Sequence, residues 1–275
     1  MTERTRGFTP GGGIRLIGHR GARGVAPENT LPSIEHGISV GADAIEFDVH
    51  RSRDGVIVVI HDSTLERTTD GRGAVADHTL GELKELDAGF HFTPDDGRSF
   101  PFRGRGIRVP TIDEAFEAIG DLPAIVEVKS AEAGVALAEW LGDRPEAERI
   151  AVGGFERRFV APTLGLARWR SATEEELRMF VLAGKVGLGR HFAPDAEALM
   201  VPEKHKGIRV VSRGLIRRCH AMGIGVYVWT VNRPEDMRRL LTWGVDGLIS
   251  DYPAILRRVL EESGPGPRVD GTLQP

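Results

Sequence analysis

Short apolar stretches alternate with longer helical patterns along almost the whole chain. The apolar stretches are rich in β-branched residues and are bounded by turn-forming residues, which is typical of buried strands. The predicted strands cover residues 14–17, 44–49, 56–60, 124–128, 150–152, 166–169, 198–201, 225–230 and 247–250. The predicted helices cover residues 30–40, 112–119, 133–141, 174–183, 214–222, 234–242 and 253–261.

Repeated strand–helix units predict a parallel sheet with helices on its outside. About eight such units in a chain of 275 residues fit a closed barrel better than an open sheet. No Gly-rich phosphate-binding fingerprint follows the first predicted strand, which disfavours a doubly wound sheet. We therefore predict an α/β protein, a distorted (β/α)8 TIM barrel with an inserted hairpin and a loop or cap segment.

Segment 62–110 interrupts the barrel pattern. It is rich in Asp, Arg, Gly and Pro and contains four phenylalanines, with one weak helix near residues 80–86. A loop of this length is either a cap or binding loop over a site, or a passive insertion. We predict that residues 14–262 form a single barrel domain containing this insertion. The polar, Gly- and Pro-rich ends, residues 1–13 and 263–275, are expected to be flexible.

Charge and composition narrow the partners and the compartment. The formal net charge is −4, and no basic stripe with interleaved aromatics appears, so we expect no nucleic-acid partner. The single cysteine, Cys219, allows no internal disulfide and is expected to be a buried packing residue. No apolar run approaches the roughly 20 residues of a membrane span, and residues 1–13 lack the apolar core of a signal peptide. We therefore expect a cytoplasmic protein without stable membrane insertion.

Two carboxylates, Glu46 and Asp48, lie two positions apart in a predicted strand and therefore share one of its faces. The pair Asp54-Gly55 is a strong hairpin signal between this strand and the next. A two-residue turn would place His61 opposite Asp48, although a register slip of one residue is the alternative. The hairpin therefore predicts an imidazole beside two carboxylates, rather than a solvated surface hairpin.

Charged and aromatic side chains follow several predicted strands directly. In a parallel barrel the carboxyl ends of the strands meet at one rim, which carries the active site. The side chains at these ends are His19, Arg20, Glu46, Asp48, Glu127, Lys129 and Trp229. Such groups bind phosphate, hold a divalent metal and move protons.

Many short motifs follow one another in a fixed order from about residue 15 to residue 253. The first are His19-Arg20-Gly21, Pro27-Glu28-Asn29-Thr30, Glu46-Phe47-Asp48-Val49, Asp54-Gly55, His61-Asp62, Leu65, Arg67-Thr68-Thr69, Gly71 and Gly73. The later ones are Leu86-Asp87-Ala88-Gly89, Pro110-Thr111, Glu127-Val128-Lys129, Val228-Trp229-Thr230-Val231-Asn232 and Asp246-Gly247-Leu248-Ile249-Ser250-Asp251-Tyr252-Pro253. In these motifs the chain resembles the glycerophosphodiester phosphodiesterase family.

The resemblance implies a distorted barrel that hydrolyses small-molecule glycerophosphodiesters to sn-glycerol 3-phosphate and an alcohol, usually with Mg²⁺ or Ca²⁺. The roles it implies are metal binding for Glu46, Asp48 and Glu127, acid/base catalysis for His19 and His61, phosphate binding for Arg20 and Lys129, and a pocket wall for Trp229. The implied ligand set is all carboxylate, which favours a hard cation such as Mg²⁺, Ca²⁺ or Mn²⁺. One departure is Gly154-Phe155, where many members have Ser-Phe, so that a hydroxyl near the site is missing.

Several alternatives stay open. Lys129 could only neutralise Glu127, and Trp229 could only pack the barrel. Glu28 and Asn29 could shape their loop and cap the next helix instead of contacting substrate. A lysophospholipase D would keep the chemistry, and its acyl chain could lie on phenylalanines 90, 92, 100 and 102 of the insertion. A catalytically silent phosphate-binding barrel is the alternative from another class.

Overall fold

Eight parallel strands alternate with helices in the computed structural model, which describes residues 7–185, 192–205 and 207–263. In chain order the elements are β1 (Leu16–His19), α1 (Leu31–Ser39), β2 (Ala44–Arg51), β3 (Ile57–Val59), α2 (Leu80–Glu85), α3 (Ile112–Ile119), β4 (Ala124–Val128), α4 (Ala131–Leu141), β5 (Ile150–Gly153), α5 (Arg157–Val160), β6 (Trp169–Arg170), α6 (Glu174–Lys185), β7 (Ala198–Pro202), β8 (Lys204–His205), β9 (Ile208–Arg209), α7 (Arg213–His220), β10 (Gly225–Trp229), α8 (Pro234–Trp243), β11 (Gly247–Ser250) and α9 (Pro253–Glu262). Short stretches of 3-10 helix lie at Val75–Asp77, Pro145–Arg149 and Ala161–Thr163.

The parallel strands form one ring in the order β6, β5, β4, β2, β1, β11, β10, β7. A single bridge between Ser171 and Ala198 joins the two ends of this order. β3 lies outside the ring and pairs antiparallel with β2. The predicted (β/α)8 barrel with an inserted hairpin is therefore confirmed.

A cluster of apolar side chains fills the barrel near the amino ends of its strands. Phe8 is fully buried there, and its ring meets Trp169 and Tyr227 edge to face at centroid distances of 5.5 Å. Residues 7–13, which belong to the segment predicted to be flexible, therefore contact the barrel through the buried side chain of Phe8. Residues 1–6 and 264–275 of the two predicted flexible ends lie outside the described residues.

The hairpin between β2 and β3 differs from the predicted register by one residue. Ile60, not His61, lies beside Asp48, and its backbone N–H donates to the Asp48 carbonyl at 3.0 Å. The turn has three residues instead of two, because Gly55 adopts φ +93° and donates to the carbonyl of Ser52 at 3.1 Å. His61 consequently follows the strand pair at the rim and does not belong to the ladder.

Segment 62–110 folds around a small core of its own on β3. This core contains Val58, Ile60, Leu65, Val75, Leu83, Ala88, Ile107 and Val109. The weak helix predicted in the segment is α2, which begins with a capping box between Thr79 and Glu82. The four phenylalanines pack among themselves and with Arg103, which stacks on the rings of Phe90 and Phe100.

None of the helices among the described residues is both long enough and apolar enough to span a membrane.

Candidate active site

The strand register brings the predicted carboxylates and one histidine together at the carboxyl rim. His19 on β1 lies beside Glu46 on β2, and Asp48 on β2 lies beside Glu127 on β4. Glu46 and Asp48 are buried, with 4% and 1% of their surface exposed, on the face of β2 that points into the barrel. The neighbouring Phe47 points outward into the core between sheet and helices. The predicted sharing of one strand face is thus confirmed.

Glu46, Asp48 and Glu127 form a compact group of three carboxylates. One oxygen from each lies within 4.8 Å of the oxygens of the other two. Burial raises the pKa of Glu46 above its ordinary value, and the nearby charges of Asp48 and Glu127 raise it further. Three carboxylates packed so closely repel one another, and a divalent cation between them would remove that repulsion. The residues present therefore fit a hard divalent cation.

A left-handed turn after β1 aims a backbone donor at this group. Arg20 has φ +49° and Gly21 has φ +85°, and the Arg20 N–H donates to Glu46 Oε2 at 2.8 Å. A Cβ atom on Gly21 would lie 2.4 Å from the backbone carbon of Ser33, so that only glycine fits. A non-glycine residue in the left-handed region is uncommon, and here it directs the N–H of Arg20 into the site.

Asp48 is held by three different side chains. Asn29, also left-handed with φ +58°, donates from Nδ2 to Asp48 Oδ2 at 2.8 Å and accepts the Asp48 N–H at 3.2 Å. Lys129 Nζ lies 2.8 Å from Asp48 Oδ1, and Arg20 Nε lies 3.2 Å from Oδ2. Burial favours the neutral acid, but the charges of Lys129 and Arg20 outweigh it and lower the pKa of Asp48. Asp48 is therefore a fixed anion.

The alternative of helix capping by Asn29 is wrong, since its amide is used by Asp48. The N-cap of α1 is Thr30, whose side chain makes no capping hydrogen bond. Glu28 is likewise not the N-cap of α1, and it pairs with Arg20 Nη1 at 2.5 Å. These two residues of the predicted loop therefore fasten the site rather than the helix.

Lys129 lies between two of the three carboxylates. Its Nζ donates to Glu127 Oε1 at 2.6 Å in addition to the ion pair with Asp48. Burial disfavours the ammonium, but the two carboxylates more than offset this and raise its pKa. Neutralisation of Glu127, one of the two sequence-based interpretations, is therefore observed. The ammonium also lies over the Phe155 ring, 5.6 Å from its centroid.

An aromatic pair stands next to Lys129. Phe155 is 46% exposed and meets Trp229 edge to face at a centroid distance of 6.4 Å. Trp229 also packs against the apolar cluster inside the barrel. Both sequence-based interpretations of Trp229, barrel packing and an aromatic wall, thus have a physical basis.

The departure at Gly154 has a steric reason. A Cβ atom there would lie 2.8 Å from Val160 Cγ1 and 3.3 Å from the Val128 carbonyl oxygen. These contacts belong to the packing of α5 and β4. The site carboxylates are not among the nearest neighbours, so a side chain at position 154 would start towards α5.

Each predicted catalytic histidine has a carboxylate on its Nδ1 atom. His19 Nδ1 lies 2.5 Å from Asp251 Oδ1, and His61 Nδ1 lies 2.6 Å from Asp62 Oδ1. Asp251 is held in turn by Asn232, whose Nδ2 donates to Asp251 Oδ2 at 2.7 Å. A carboxylate on Nδ1 selects the tautomer that carries the proton there and leaves Nε2 as the free acceptor. His19 Nε2 lies 3.9 Å from Glu46 Oε2.

His61 is less deeply placed than His19. Burial lowers the pKa of His61, and the Lys129 and Arg20 charges lower it further, against the opposing effects of Asp48 and Asp62. His61 is therefore biased towards the neutral imidazole at pH 7.

Sequence reasoning gave no role to Asp62, Asp251, Asn232 or Arg67. All four belong to the motifs quoted above, so their presence was visible. Their partners were not, because hydrogen bonds such as that from His19 to Asp251 join residues 232 positions apart.

Comparisons with known proteins show what this chain is similar to. The model of the glycerophosphoryl diester phosphodiesterase family matches residues 19–255. A glycerophosphodiester phosphodiesterase of Caldanaerobacter subterraneus subsp. tengcongensis is 34% identical over 252 residues, covering 90% of this chain and 98% of the relative. The Bacillus subtilis glycerophosphodiester phosphodiesterase is 31% identical over 276 residues, covering 90% of this chain and 86% of the relative.

Two further likenesses bear on the substrate. The structure of an Oleispira antarctica phosphodiesterase in complex with the product sn-glycerol-3-phosphate has a TM-score of 0.72 and 27% identity, covering 90% of this chain and 96% of that one. A lysophospholipase D of Homo sapiens is 25% identical over 277 residues, covering 89% of this chain and 85% of the relative.

Proposed function

Because the chain belongs to the glycerophosphoryl diester phosphodiesterase family, we propose that its site hydrolyses glycerophosphodiesters to sn-glycerol 3-phosphate and an alcohol with a divalent metal and two histidines. The reaction class, hydrolysis of a phosphodiester, follows from membership. The observation that carries the finer proposal is the group of three carboxylates within 4.8 Å, next to two histidines that each have a carboxylate on Nδ1.

We propose that Glu46, Asp48 and Glu127 bind the divalent metal. Their oxygen-only donor set suits Mg²⁺, Ca²⁺ or Mn²⁺ rather than a structural zinc ion. A cation bound there would neutralise negative charge that develops on the phosphate oxygens.

Arg20 and Lys129 are proposed to bind the phosphate. Among the described residues, Arg20 Nε is a buried donor without a hydrogen-bond acceptor, although it lies 3.2 Å from Asp48. A buried guanidinium N–H of this kind is costly unless a ligand oxygen accepts it. Ion pairs with Asp48 and Glu127 hold the Lys129 ammonium in place. It would therefore not have to move to meet a phosphate bound beside these carboxylates.

His19 and His61 are proposed to move the protons. With each Nδ1 bound to a carboxylate, Nε2 is the atom of each ring that exchanges a proton with substrate. One neutral imidazole takes the proton of the attacking hydroxyl at Nε2, and the other, in its protonated imidazolium form, donates the proton from its Nε2 to the leaving alkoxide. We expect the neighbouring glycerol hydroxyl to attack first, giving a cyclic phosphate that water then opens. Direct attack by water is the alternative.

The substrate class rests on two supports. The Caldanaerobacter subterraneus and Bacillus subtilis relatives, at 34% and 31% identity, are glycerophosphodiester phosphodiesterases. The Oleispira antarctica structure holds sn-glycerol-3-phosphate as its product. The glycerol 3-phosphate half is therefore the proposed constant part of the substrate, and the alcohol is the variable part.

The test is an assay of purified, EDTA-stripped protein on glycerophosphocholine, with release of sn-glycerol 3-phosphate followed as Mg²⁺, Ca²⁺ or Mn²⁺ is added. We expect release only with metal. Calorimetric titration of the same metals into Glu127→Gln should show affinity weakened by at least about tenfold, with the exposed Glu117→Gln as control. Full activity after metal removal would contradict the proposed cofactor.

A lysophospholipase D is the second candidate. Phe155, almost half exposed beside Trp229, could accept an acyl chain, and the human relative acts as a lysophospholipase D. The phenylalanines of segment 62–110 support this less, since they pack with one another and with Arg103. Higher kcat/KM on lysophosphatidylcholine than on glycerophosphocholine would favour it. Binding of both without turnover would favour a silent barrel.

A further inference from the structure

Arg67, in segment 62–110, forms hydrogen bonds to the carboxylates of both Asp62 and Glu28. Its Nε and Nη2 donate to Asp62 at 2.6 and 3.1 Å. Its Nη1 and Nη2 donate to Glu28 at 2.8 Å each. The guanidinium thus makes a two-bonded contact with each carboxylate, the geometry that fixes a planar ion pair most firmly.

Each of the two carboxylates holds a different part of the proposed machinery. The Asp62 carboxylate is hydrogen-bonded to His61 Nδ1 at 2.6 Å, so it fixes the tautomer and the orientation of the imidazole. Glu28 pairs with Arg20 Nη1 at 2.5 Å, so it fixes the guanidinium proposed to bind phosphate. Both contacts end on the same arginine.

The charges agree with a tight network. Despite burial, the hydrogen bonds from Arg67 and the charge of Arg20 lower the pKa of Glu28 to about 2. The hydrogen bonds from Arg67 and His61 lower the pKa of Asp62 as well. Arg67 itself is 43% exposed at the rim, where a single ion pair contributes little to stability. The network therefore orders side chains more than it stabilises the fold.

We infer that Arg67 is a positioning residue that fixes His61 through Asp62 and Arg20 through Glu28. This inference rests on the proposed function and deepens it, because it gives segment 62–110 a part in the reaction. The insertion is then neither a passive loop nor a cap, but a support for one acid/base group and one phosphate contact.

Steady-state kinetics can separate the effect of Arg67 on His61, through Asp62, from its effect on Arg20, through Glu28. Arg67→Ala should lower kcat about 10- to 100-fold, because His61 loses its orientation. It should also raise KM about two- to fivefold, because Glu28 without Arg67 holds the Arg20 guanidinium less rigidly. In an Asp62→Asn background the kcat effect of Arg67→Ala should vanish while the KM effect persists. In a Glu28→Gln background the KM effect should vanish instead.

Arg108→Ala is the matched control. Arg108 lies in the same insertion, and its Nη1 donates to the backbone carbonyls of Glu85 and Leu86 at 3.1 Å, away from the site. It should leave kcat and KM unchanged, and both alanine variants should keep a Tm close to that of the wild type. Free guanidinium ion should restore part of the activity of Arg67→Ala and none of that lost in Asp62→Asn.

A second measurement is independent of turnover. Nitrogen–proton correlation spectra of the imidazoles in the metal-free protein report the tautomer of His61. We expect the Nδ1–H form in the wild type and in Arg108→Ala, and a mixed population in Arg67→Ala.

An unchanged His61 spectrum in Arg67→Ala, or an equal fall in kcat with and without Asp62, would overturn the inference. If the wild type released no product with any of the metals, the proposed function would be overturned. The imidazole spectra would still decide whether Arg67 fixes His61.

Discussion

The side chains of the rim act in pairs, each reactive group with a partner that fixes it. His19 has Asp251, His61 has Asp62, and Asp48 has Asn29. Such partners determine which atom of each group faces the substrate. They also explain why two left-handed non-glycine residues occur beside the site, since Arg20 and Asn29 both direct donors at its carboxylates.

Loss of either imidazole should remove most of the activity. His19→Ala and His61→Ala should each lower kcat/KM on the order of 10²-fold or more, because a proton transfer then loses its catalyst. The measurement is steady-state turnover of glycerophosphocholine at saturating metal, with His36→Ala on α1 as a control. Near-wild-type turnover of a folded variant would remove that histidine from the mechanism.

Residue spacing predicted the members of the site but not their partners. Glu46, Asp48 and Glu127 could be placed together because they end neighbouring strands of a parallel barrel. Asp251 could not be assigned to His19, because 232 positions of sequence separate the two residues. Asp62 directly follows His61, but their contact depends on side-chain geometry that spacing does not give. Cys219 was predicted to be a buried packing residue, and it is buried, with its thiol pKa raised by burial to about 12.

At the level of helices and strands, close approaches decide which glycines are required. Gly134 lies in α4, where a Cβ atom would fall 2.0 Å from the Phe159 carbonyl oxygen of α5. Gly214 lies in α7, where the nearest atom to a Cβ is Ser212 Oγ at 3.9 Å. Gly134 therefore permits the close packing of α4 against α5, whereas Gly214 only adds to the conformational entropy lost on folding.

Alanine substitutions should separate these two glycines. Gly134→Ala should lower the free energy of unfolding by about 1–3 kcal/mol, because α4 and α5 must move apart. Gly214→Ala should raise it by about 0.4–1 kcal/mol, since the unfolded chain loses freedom and no contact is broken. Urea unfolding of both variants is the measurement. Equal effects of the same sign would show that the close approach to Phe159 is unimportant.

A histidine ion pair ties α7 to the loop before β11. His220 Nε2 lies 2.8 Å from Asp246 Oδ2, and this hydrogen bond raises the pKa of His220 against partial burial. A raised pKa means that protonated His220 stabilises the fold below its unfolded pKa of about 6.5, and that this stabilisation is lost as the pH rises through the folded pKa.

The difference in Tm between the wild type and His220→Gln should therefore be largest near pH 5.5 and small by about pH 8.5. Glutamine keeps an amide donor without the charge, so it isolates the ionic part. His205→Gln, an exposed histidine in β8, serves as control. A difference in Tm that grows with pH would contradict the assigned sign.

Periodicity located most helices and strands, and each miss has its own local reason. The predicted strand 166–169 shrinks to Trp169–Arg170, because Leu166 is 39% exposed and does not enter the sheet. The hairpin of β8 and β9 has two-residue strands, too short for a periodic signal. The predicted β2–β3 register differs from the observed one by one residue, because the turn that ends at Gly55 is one residue longer than predicted.

The barrel as a whole is closed unevenly. β2 and β4 share five paired positions, whereas β6 and β7 meet through the single bridge at Ser171 and Ala198. Around that bridge, the Ala172 N–H donates to the Ala198 carbonyl at 2.9 Å. Repeated strand–helix units predicted a ring of strands, but the strength of each seam depends on strand length, which periodicity reports poorly.

Hydrogen exchange should find the seam between β6 and β7. The amides of Ala172 and Met200 should exchange roughly tenfold or more faster than those of residues 45–49 in β2, because local opening there breaks few contacts. Exchange of assigned backbone amides under native conditions is the measurement. Uniform protection around the ring would contradict an uneven closure.

The burial of Phe8 inside the barrel has a consequence for folding during biosynthesis. The Tyr227 hydroxyl donates to the Gly7 carbonyl at 3.5 Å across 220 positions of sequence, and the ring of Phe8 rests between Trp169 and Tyr227. Phe8 is synthesised more than 200 residues before Tyr227, so its aromatic side chain cannot be fully buried until strand β10 has been made. Until then the nascent chain exposes an unpartnered aromatic group, which is the condition under which chaperones engage growing polypeptides.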